Sequence, residues 1–126
     1  VSVGAYGAEI AYYGSEIVLN YETEPPMGDF IFSAKLPLLN REIPFWMYGR
    51  NLVFLDAYYV LVEKVEKKTW DPITTVIINI HTGKYASLGN WYTDISVEND
   101  VVLKNRFDGN SMTLKDVDDL NWITIE

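Results

Sequence analysis

Apolar and polar side chains alternate with a period of two along most of this chain, which is typical of strands with one buried face. The segment 16–22 is the clearest case, because its outward positions are polar with one exception. Its inward positions are Ile17, Leu19 and Tyr21. The segment 9–13 predicts a partner strand, and Gly14-Ser15 predicts the two-residue turn between the two strands.

The same alternation predicts further strands along the rest of the chain. They are 29–34, 45–48, 52–65, 74–81, 84–88, 91–97, 101–107, a short strand around Met112, and 122–125. Turn signals separate them at Gly49-Arg50-Asn51, Thr82-Gly83, Glu98-Asn99-Asp100 and Asp108-Gly109-Asn110. The segment 35–44 predicts a less regular connection, because Pro37 and Pro44 each lack a backbone donor.

One predicted strand differs from the others because both of its faces are apolar. The segment 52–62 has this composition, which predicts a central strand covered on both sides. The charged run that begins at Glu63 predicts the exit of this strand into solvent. Asp56 interrupts the apolar run, and such a residue more often anchors a turn or a bulge than it serves as a catalytic acid.

These elements predict an all-β fold, an antiparallel sandwich or barrel of about nine or ten short strands. The spacing of Leu114, Val117 and Leu120 predicts at most a short helical turn near 114–120. The chain has 126 residues, with no internal repeat and no linker. We therefore expect residues 1–126 to form a single all-β domain.

The net negative charge of the chain excludes some classes of binding partner. The chain has 18 acidic and 10 basic side chains and a formal net charge of −8. Because phosphate groups would be repelled, we expect neither nucleic acid nor an anionic membrane as a partner. No apolar run approaches the roughly 20 residues that cross a bilayer. We expect a cytoplasmic protein, and a start at Val1 is compatible with a leader that has been removed.

The acidic residues are unevenly distributed. Residues 1–34 contain no Lys or Arg, and acidic side chains outnumber basic ones in residues 94–126. Such regions suit a cationic protein partner, although ordinary solubilising charge is the alternative. Tryptophans beside turns add apolar contact area at protein interfaces. The candidate partner-binding residues are Glu22, Glu24, Asp108, Asp116, Asp118, Asp119, Trp70 and Trp91.

The sequence offers little for catalysis or metal binding. It has no cysteine, which excludes thiolate chemistry and disulfides. The single histidine, His81, has no second ligand or nucleophile at a useful spacing. The acidic segment 108–119 does not match an EF-hand calcium loop, because Thr113 stands where that loop requires glycine. We predict no enzyme activity, no cofactor and no metal site.

In its size, its acidity, its lack of cysteine, its Tyr-rich segment 52–59 and its acidic C-terminal turns, the chain resembles a class of bacterial proteins. These are the small acidic immunity proteins of contact-dependent growth inhibition and polymorphic toxin systems. The resemblance implies a non-catalytic inhibitor that binds a cognate toxin with a basic domain, often a nuclease, and blocks its active site or substrate channel.

Three alternatives stay open. The first is a small-molecule or carbohydrate-binding β-barrel, whose cavity would be lined by Trp46, Tyr58 or Trp91. The second is an enzyme that acts through Asp56 or His81, which would need a second ionisable group nearby. The third is an accessory domain of a larger protein. In addition, an edge strand could pair with a second copy of the chain.

Overall fold

The computed structural model describes residues 8–12, 15–23, 30–55, 58–65, 72–97, 100–115 and 117–125. These residues contain twelve strands. The strands are β1 (Ala8–Tyr12), β2 (Ser15–Thr23), β3 (Ile31–Leu36), β4 (Arg41–Glu42), β5 (Met47–Phe54), β6 (Tyr59–Val65), β7 (Pro72–Asn79), β8 (Lys84–Ser87), β9 (Asp94–Ser96), β10 (Val101–Lys104), β11 (Ser111–Leu114) and β12 (Ile123–Thr124). Single 3₁₀ turns lie at Pro37–Leu39 and Val117–Asp119. The fold is all-β, as the sequence predicts, and the second 3₁₀ turn lies within the predicted helical segment.

The strands form two antiparallel sheets. The large sheet has the order β1-β2-β3-β5-β6-β7-β8-β12, and β4 pairs with the end of β3. The small sheet has the order β11-β10-β9. Among the described strands, β1 and β12 are the two ends of the large sheet and do not pair with each other, so this sheet is open and not a barrel.

The predicted strand 52–65 is split in the structure, with residues 52–54 in β5 and residues 59–65 in β6. The central strand β6 is covered on both faces, as the apolar composition of 52–62 predicts. Val60 and Val62 lie in a first core on one face of the large sheet, and Leu61 lies in a second core on the other face. The first core also contains residues from β2, β3 and β7. The second core lies against the small sheet, and its buried members are Leu61, Ile77, Ala86, Tyr92, Leu103 and Leu114.

The sequence-based turns near the start of β2 and within β5 are wrong. Ser15 pairs with Tyr12 and belongs to β2, so it is not a turn residue, and Gly14 lies outside the described residues. The segment 49–51 lies inside β5, where the register with β6 shifts between Tyr48 and Val53. These residues, whose composition is typical of a turn, therefore form a bulge-like irregularity within β5. Phe54 pairs with Val60 of β6 instead, and Asp56 lies outside the described residues.

Two predicted strands are shorter than expected. The segment 91–97 forms a strand only at β9, and the segment 101–107 forms one only at β10. Trp91 and Phe107 therefore lie beyond the ends of these strands. Within the described ranges, no helix is long and apolar enough to cross a membrane.

Candidate protein-interaction site

The small sheet has two ends with different chemistry. Asp94 of β9 lies opposite Lys104 of β10, so the residues before β9 and the loop after β10 meet at one end. We call this the aromatic end and define it by Trp91, Arg106 and Phe107. The acidic end, at the start of β10, is defined by Asp100 and by Asp119 in the 3₁₀ turn after β11. The four residues of β10 separate the two ends by about 13 Å.

Two aromatic rings are stacked at the aromatic end. The rings of Trp91 and Phe107 lie with their centroids 5.9 Å apart and their planes at 18°. Trp91 is half-buried, whereas the Phe107 side chain is 75% exposed. The indole N–H of Trp91 donates a hydrogen bond of 2.5 Å to Glu63 Oε1, and Glu63 is only 1% exposed. Trp91 is therefore bonded to the protein interior through Glu63, and the ring of Phe107 covers the outer side of the indole.

The loop that carries Phe107 is organised around Asn105, which is itself buried. The Asn105 amide donates to the backbone oxygen of Trp91 at 2.9 Å. Its side-chain oxygen accepts from the backbone N–H groups of Phe107 at 2.8 Å and Asp108 at 3.3 Å. Gly109 closes the loop in the left-handed region, at φ 77°, and its N–H donates to the Asn105 backbone oxygen. These bonds fix the backbone on both sides of Phe107.

An ion pair lies beside the aromatic rings. Arg106 Nη2 and Asp94 Oδ1 are 2.9 Å apart, and both side chains are exposed. The Thr93 hydroxyl donates to Asp94 Oδ2 at 2.9 Å and accepts from the Arg106 backbone N–H at 3.0 Å. The hydrogen bonds from Thr93 and then from Arg106 hold the pKa of the Asp94 carboxyl below its ordinary value.

The acidic end presents carboxylates without internal partners among the described residues. Asp100 and Asp119 are exposed, and no described basic side chain forms an ion pair with either of them. The basic residues Lys104 and Arg106 lie at the other end of β10. Lys115 follows Leu114, the partner of Val101, and so lies at the acidic end without an ion pair to either carboxylate. Two exposed carboxylates against one exposed lysine leave this end with a negative charge that suits a positively charged surface.

The candidate residues do not form one cluster. Trp91 and Asp108 both lie at the aromatic end, where Asp108 Oδ1 accepts from the Asn110 backbone N–H at 2.8 Å. Asp119 lies in the turn after β11. Glu22 lies on β2, three strands from β6 in the large sheet, and accepts from the Ser33 hydroxyl at 2.7 Å. Glu24, Trp70, Asp116 and the side chain of Asp118 lie outside the described residues.

Sequence reasoning missed Glu63, Asn105, Arg106 and Phe107. The prediction that the chain exits into solvent at Glu63 is wrong, because this side chain is buried under Trp91. Asn105 could have been noticed, since it breaks the apolar inward series that begins at Val101 and Leu103. When the next inward position is polar, just before the turn residues Asp108-Gly109-Asn110, the strand is expected to end before that position. Phe107 then lies in the loop and not in the strand.

Of the residues considered for catalysis or for a ligand cavity, His81 and Tyr58 are in contact, and neither lines the groove that contains Trp46. His81 is exposed, and its ring lies 4.6 Å from the ring of Tyr58. Trp46 lines an open groove of about 220 Å³ beside Asn20, Lys35 and Glu42. A groove of about 300 Å³ follows β9 and β10 and contains none of the three proposed aromatic residues. Within the described part of the chain, no three His, Asp or Glu side chains are grouped to hold a metal ion.

Function has to be inferred from this geometry together with the sequence. A comparison of the chain with protein-family models, with curated proteins and with solved structures found no match.

Proposed function

We propose that this chain is a non-catalytic protein-binding module, an immunity protein that neutralises a cognate toxin by covering a basic domain. The observation that carries the proposal is the acidic end of the small sheet. Its exposed carboxylates, Asp100 and Asp119, have no basic partner among the described residues. The whole chain has a net charge of −8, so its long-range field favours approach of a cationic protein.

Charge of this kind acts mainly on association. Complementary charges steer two proteins together and can raise the association rate by about 10- to 1,000-fold at low salt. They also discourage partners with like charge. A toxin domain that binds nucleic acid has a basic surface, because it must neutralise phosphate groups. Such a surface would complement the acidic end of this chain.

Saccharide binding is the second candidate function, and one groove favours it. Trp46 provides an indole beside Asn20, Lys35 and Glu42 in the groove of about 220 Å³ on the large sheet. An aromatic ring with convergent polar groups is a common composition for small-ligand sites. Titration with mono- and disaccharides, followed by tryptophan fluorescence, tests this candidate. A response that is unchanged in the Glu42→Ala and Asn20→Ala variants would exclude the groove.

The main proposal is tested by co-expression with the product of the neighbouring gene in a bacterial host. We expect that product alone to stop growth and co-expression of this chain to restore it. The double variant Asp100→Lys, Asp119→Lys should lose much of the protection. Glu42→Lys is the control for each single variant, Asp100→Lys and Asp119→Lys, because it makes the same change in charge at an exposed carboxylate on β4 of the large sheet. Growth that this chain does not restore would contradict the proposal, as would equal protection by the double variant.

A purified complex provides the second measurement. We expect the association rate to fall as the salt concentration rises, because mobile ions screen exposed charges over about 10 Å at 0.1 M salt. The double variant should show a weaker salt dependence than the unchanged chain. Association that is independent of salt would contradict the role of the acidic end.

A further inference from the structure

The aromatic end contains a side chain whose exposure has no explanation in the fold. We propose that Phe107 is the apolar anchor of the interface and inserts into an apolar pocket of the same basic partner, supported from below by Trp91. This inference rests on the proposed function and adds the kind of site that the partner must have.

Phe107 is exposed to an unusual degree for its size. Among the described large apolar side chains it has the highest exposed fraction, 75%, against 53% for Leu38 and for Ile123. A single exposed apolar residue is common on protein surfaces and has no meaning by itself. The argument therefore depends on how Phe107 is held.

The support beneath Phe107 is bonded to the interior of the protein. Its ring stacks on Trp91, and Trp91 is bonded to the buried Glu63 on the central strand β6. The loop backbone is bonded to Asn105 on both sides of Phe107. An aromatic side chain that is already ordered loses little conformational freedom on binding, which increases affinity.

The composition of the aromatic end is that of an interface hot spot. Tryptophan and arginine are enriched among the few residues that dominate binding, and these residues are surrounded by contacts of little energy that exclude water. Here Trp91 and Phe107 are bordered by the Asp94–Arg106 ion pair and by Asp108. The formal charges of Asp94, Lys104, Arg106 and Asp108 balance, so this end offers apolar contact without strong local charge.

The net charge of the chain favours one kind of partner for this surface over the others. Two copies of a chain with net charge −8 repel each other, and so do this chain and an anionic membrane. A basic protein is attracted. One side of a standard interface covers about 800 Å² and so spans roughly 30 Å. The two ends of the small sheet are separated by only about 13 Å along β10. Both ends of the small sheet can therefore contact one partner.

The two ends should then control different rates. Exposed charge changes mainly the association rate, whereas a well-packed apolar anchor changes mainly the dissociation rate. Surface plasmon resonance with the neighbouring gene product, captured as purified toxin, separates the two. We expect Phe107→Ala to raise the dissociation rate about 30-fold or more, the size typical of a hot-spot residue, with an association rate within about twofold of the unchanged chain.

Leu38→Ala is the matched control, because Leu38 is exposed and apolar but lies in the 3₁₀ turn after β3. It should leave both rates unchanged. Asp100→Lys should lower the association rate and leave dissociation nearly unchanged. Thermal unfolding of Phe107→Ala should match that of the unchanged chain, since the side chain is mostly exposed.

The outcomes separate the inference from the function on which it rests. If the unchanged chain binds the toxin and Phe107→Ala dissociates no faster than Leu38→Ala, the anchor is wrong and the function stands. If the unchanged chain does not bind, both are wrong. If sedimentation shows that the unchanged chain is a dimer and Phe107→Ala a monomer, a second copy occupies this surface and the inference is overturned.

Discussion

The indole N–H of Trp91 donates a hydrogen bond to the carboxylate of Glu63, which lies on the central strand of the large sheet. This contact joins the surface of the small sheet to the interior of the large one. Glu63 is buried between Tyr48 of β5 and Thr75 of β7, which face it across the sheet. Trp91 therefore serves both the stability of the fold and the shape of the aromatic end.

Trp91→Phe removes this donor and leaves the buried carboxylate with one hydrogen bond fewer. We expect a loss of about 2 kcal/mol in the free energy of unfolding, because hydrogen bonds to charged groups contribute more than neutral ones. Glu63→Gln keeps an acceptor and should cost less. Urea unfolding of the three proteins measures the difference, and equal stability would contradict the role of the bond.

Asn105→Ala should loosen the loop that carries Phe107. The variant loses bonds to the Trp91 backbone oxygen and to two backbone N–H groups, and we expect a loss of about 2 kcal/mol. Asp108→Ala is the control, since it removes one bond at the exposed end of the same loop. Amide hydrogen exchange at Phe107 should accelerate in the first variant far more than in the second. Equal exchange in both would show that Asn105 does not organise the loop.

Gly83→Ala tests a close approach between the turn before β8 and the 3₁₀ turn at Pro37–Leu39. Gly83 has φ +68°, and a Cβ atom there would lie 2.9 Å from Leu39 Cδ1 and 3.2 Å from Arg41 Nη1. We expect a loss of about 2 kcal/mol or more, because the left-handed backbone costs a non-glycine residue about 1 kcal/mol and the crowding adds to it. Gly89→Ala is the control, since it has φ +85° with nothing within 4 Å. A Gly83 variant no less stable than the Gly89 variant would contradict the contact.

The stability contributed by Asp94 should depend on pH in one direction. Its pKa is lowered in the folded state, so its contribution is full above the unfolded value of about 3.9 and is lost as the pH falls through the folded value. The stability difference between the unchanged chain and Asp94→Asn should therefore be present at pH 7 and shrink below pH 4. Urea unfolding across this range measures it, and a constant difference would contradict the assignment.

Local patterns in the sequence predicted the strands well where burial follows the alternation. In β7 and the residue that follows it, Val76, Ile78 and Ile80 lie in the first core and Ile77 in the second, as the period of two predicts. The apolar composition of β6 also predicted its cover on both faces. The turns were predicted less well than the strands. Residues 49–51, for example, have the composition of a turn but lie within β5.

The candidate site was harder to predict, for a physical reason. The burial of Glu63 depends on Trp91, which lies 28 positions away in the chain, and the shape of the loop depends on a bond from Asn105 to Trp91. Neither contact leaves a local pattern in the sequence. The turns before and after the strand around Met112 were predicted, but the sequence could not show that the loop of Asp108 is bonded to Trp91 through Asn105, at the end of the small sheet opposite to Asp119.

The first core has a consequence for synthesis in the cell. Ile17 and Ile125 are both fully buried in it, and Arg41 donates to the Ile125 backbone oxygen. A ribosome adds about 5–20 residues per second, so several seconds pass between these two isoleucines. During that interval the early strands expose apolar surface that Ile125 has not yet covered.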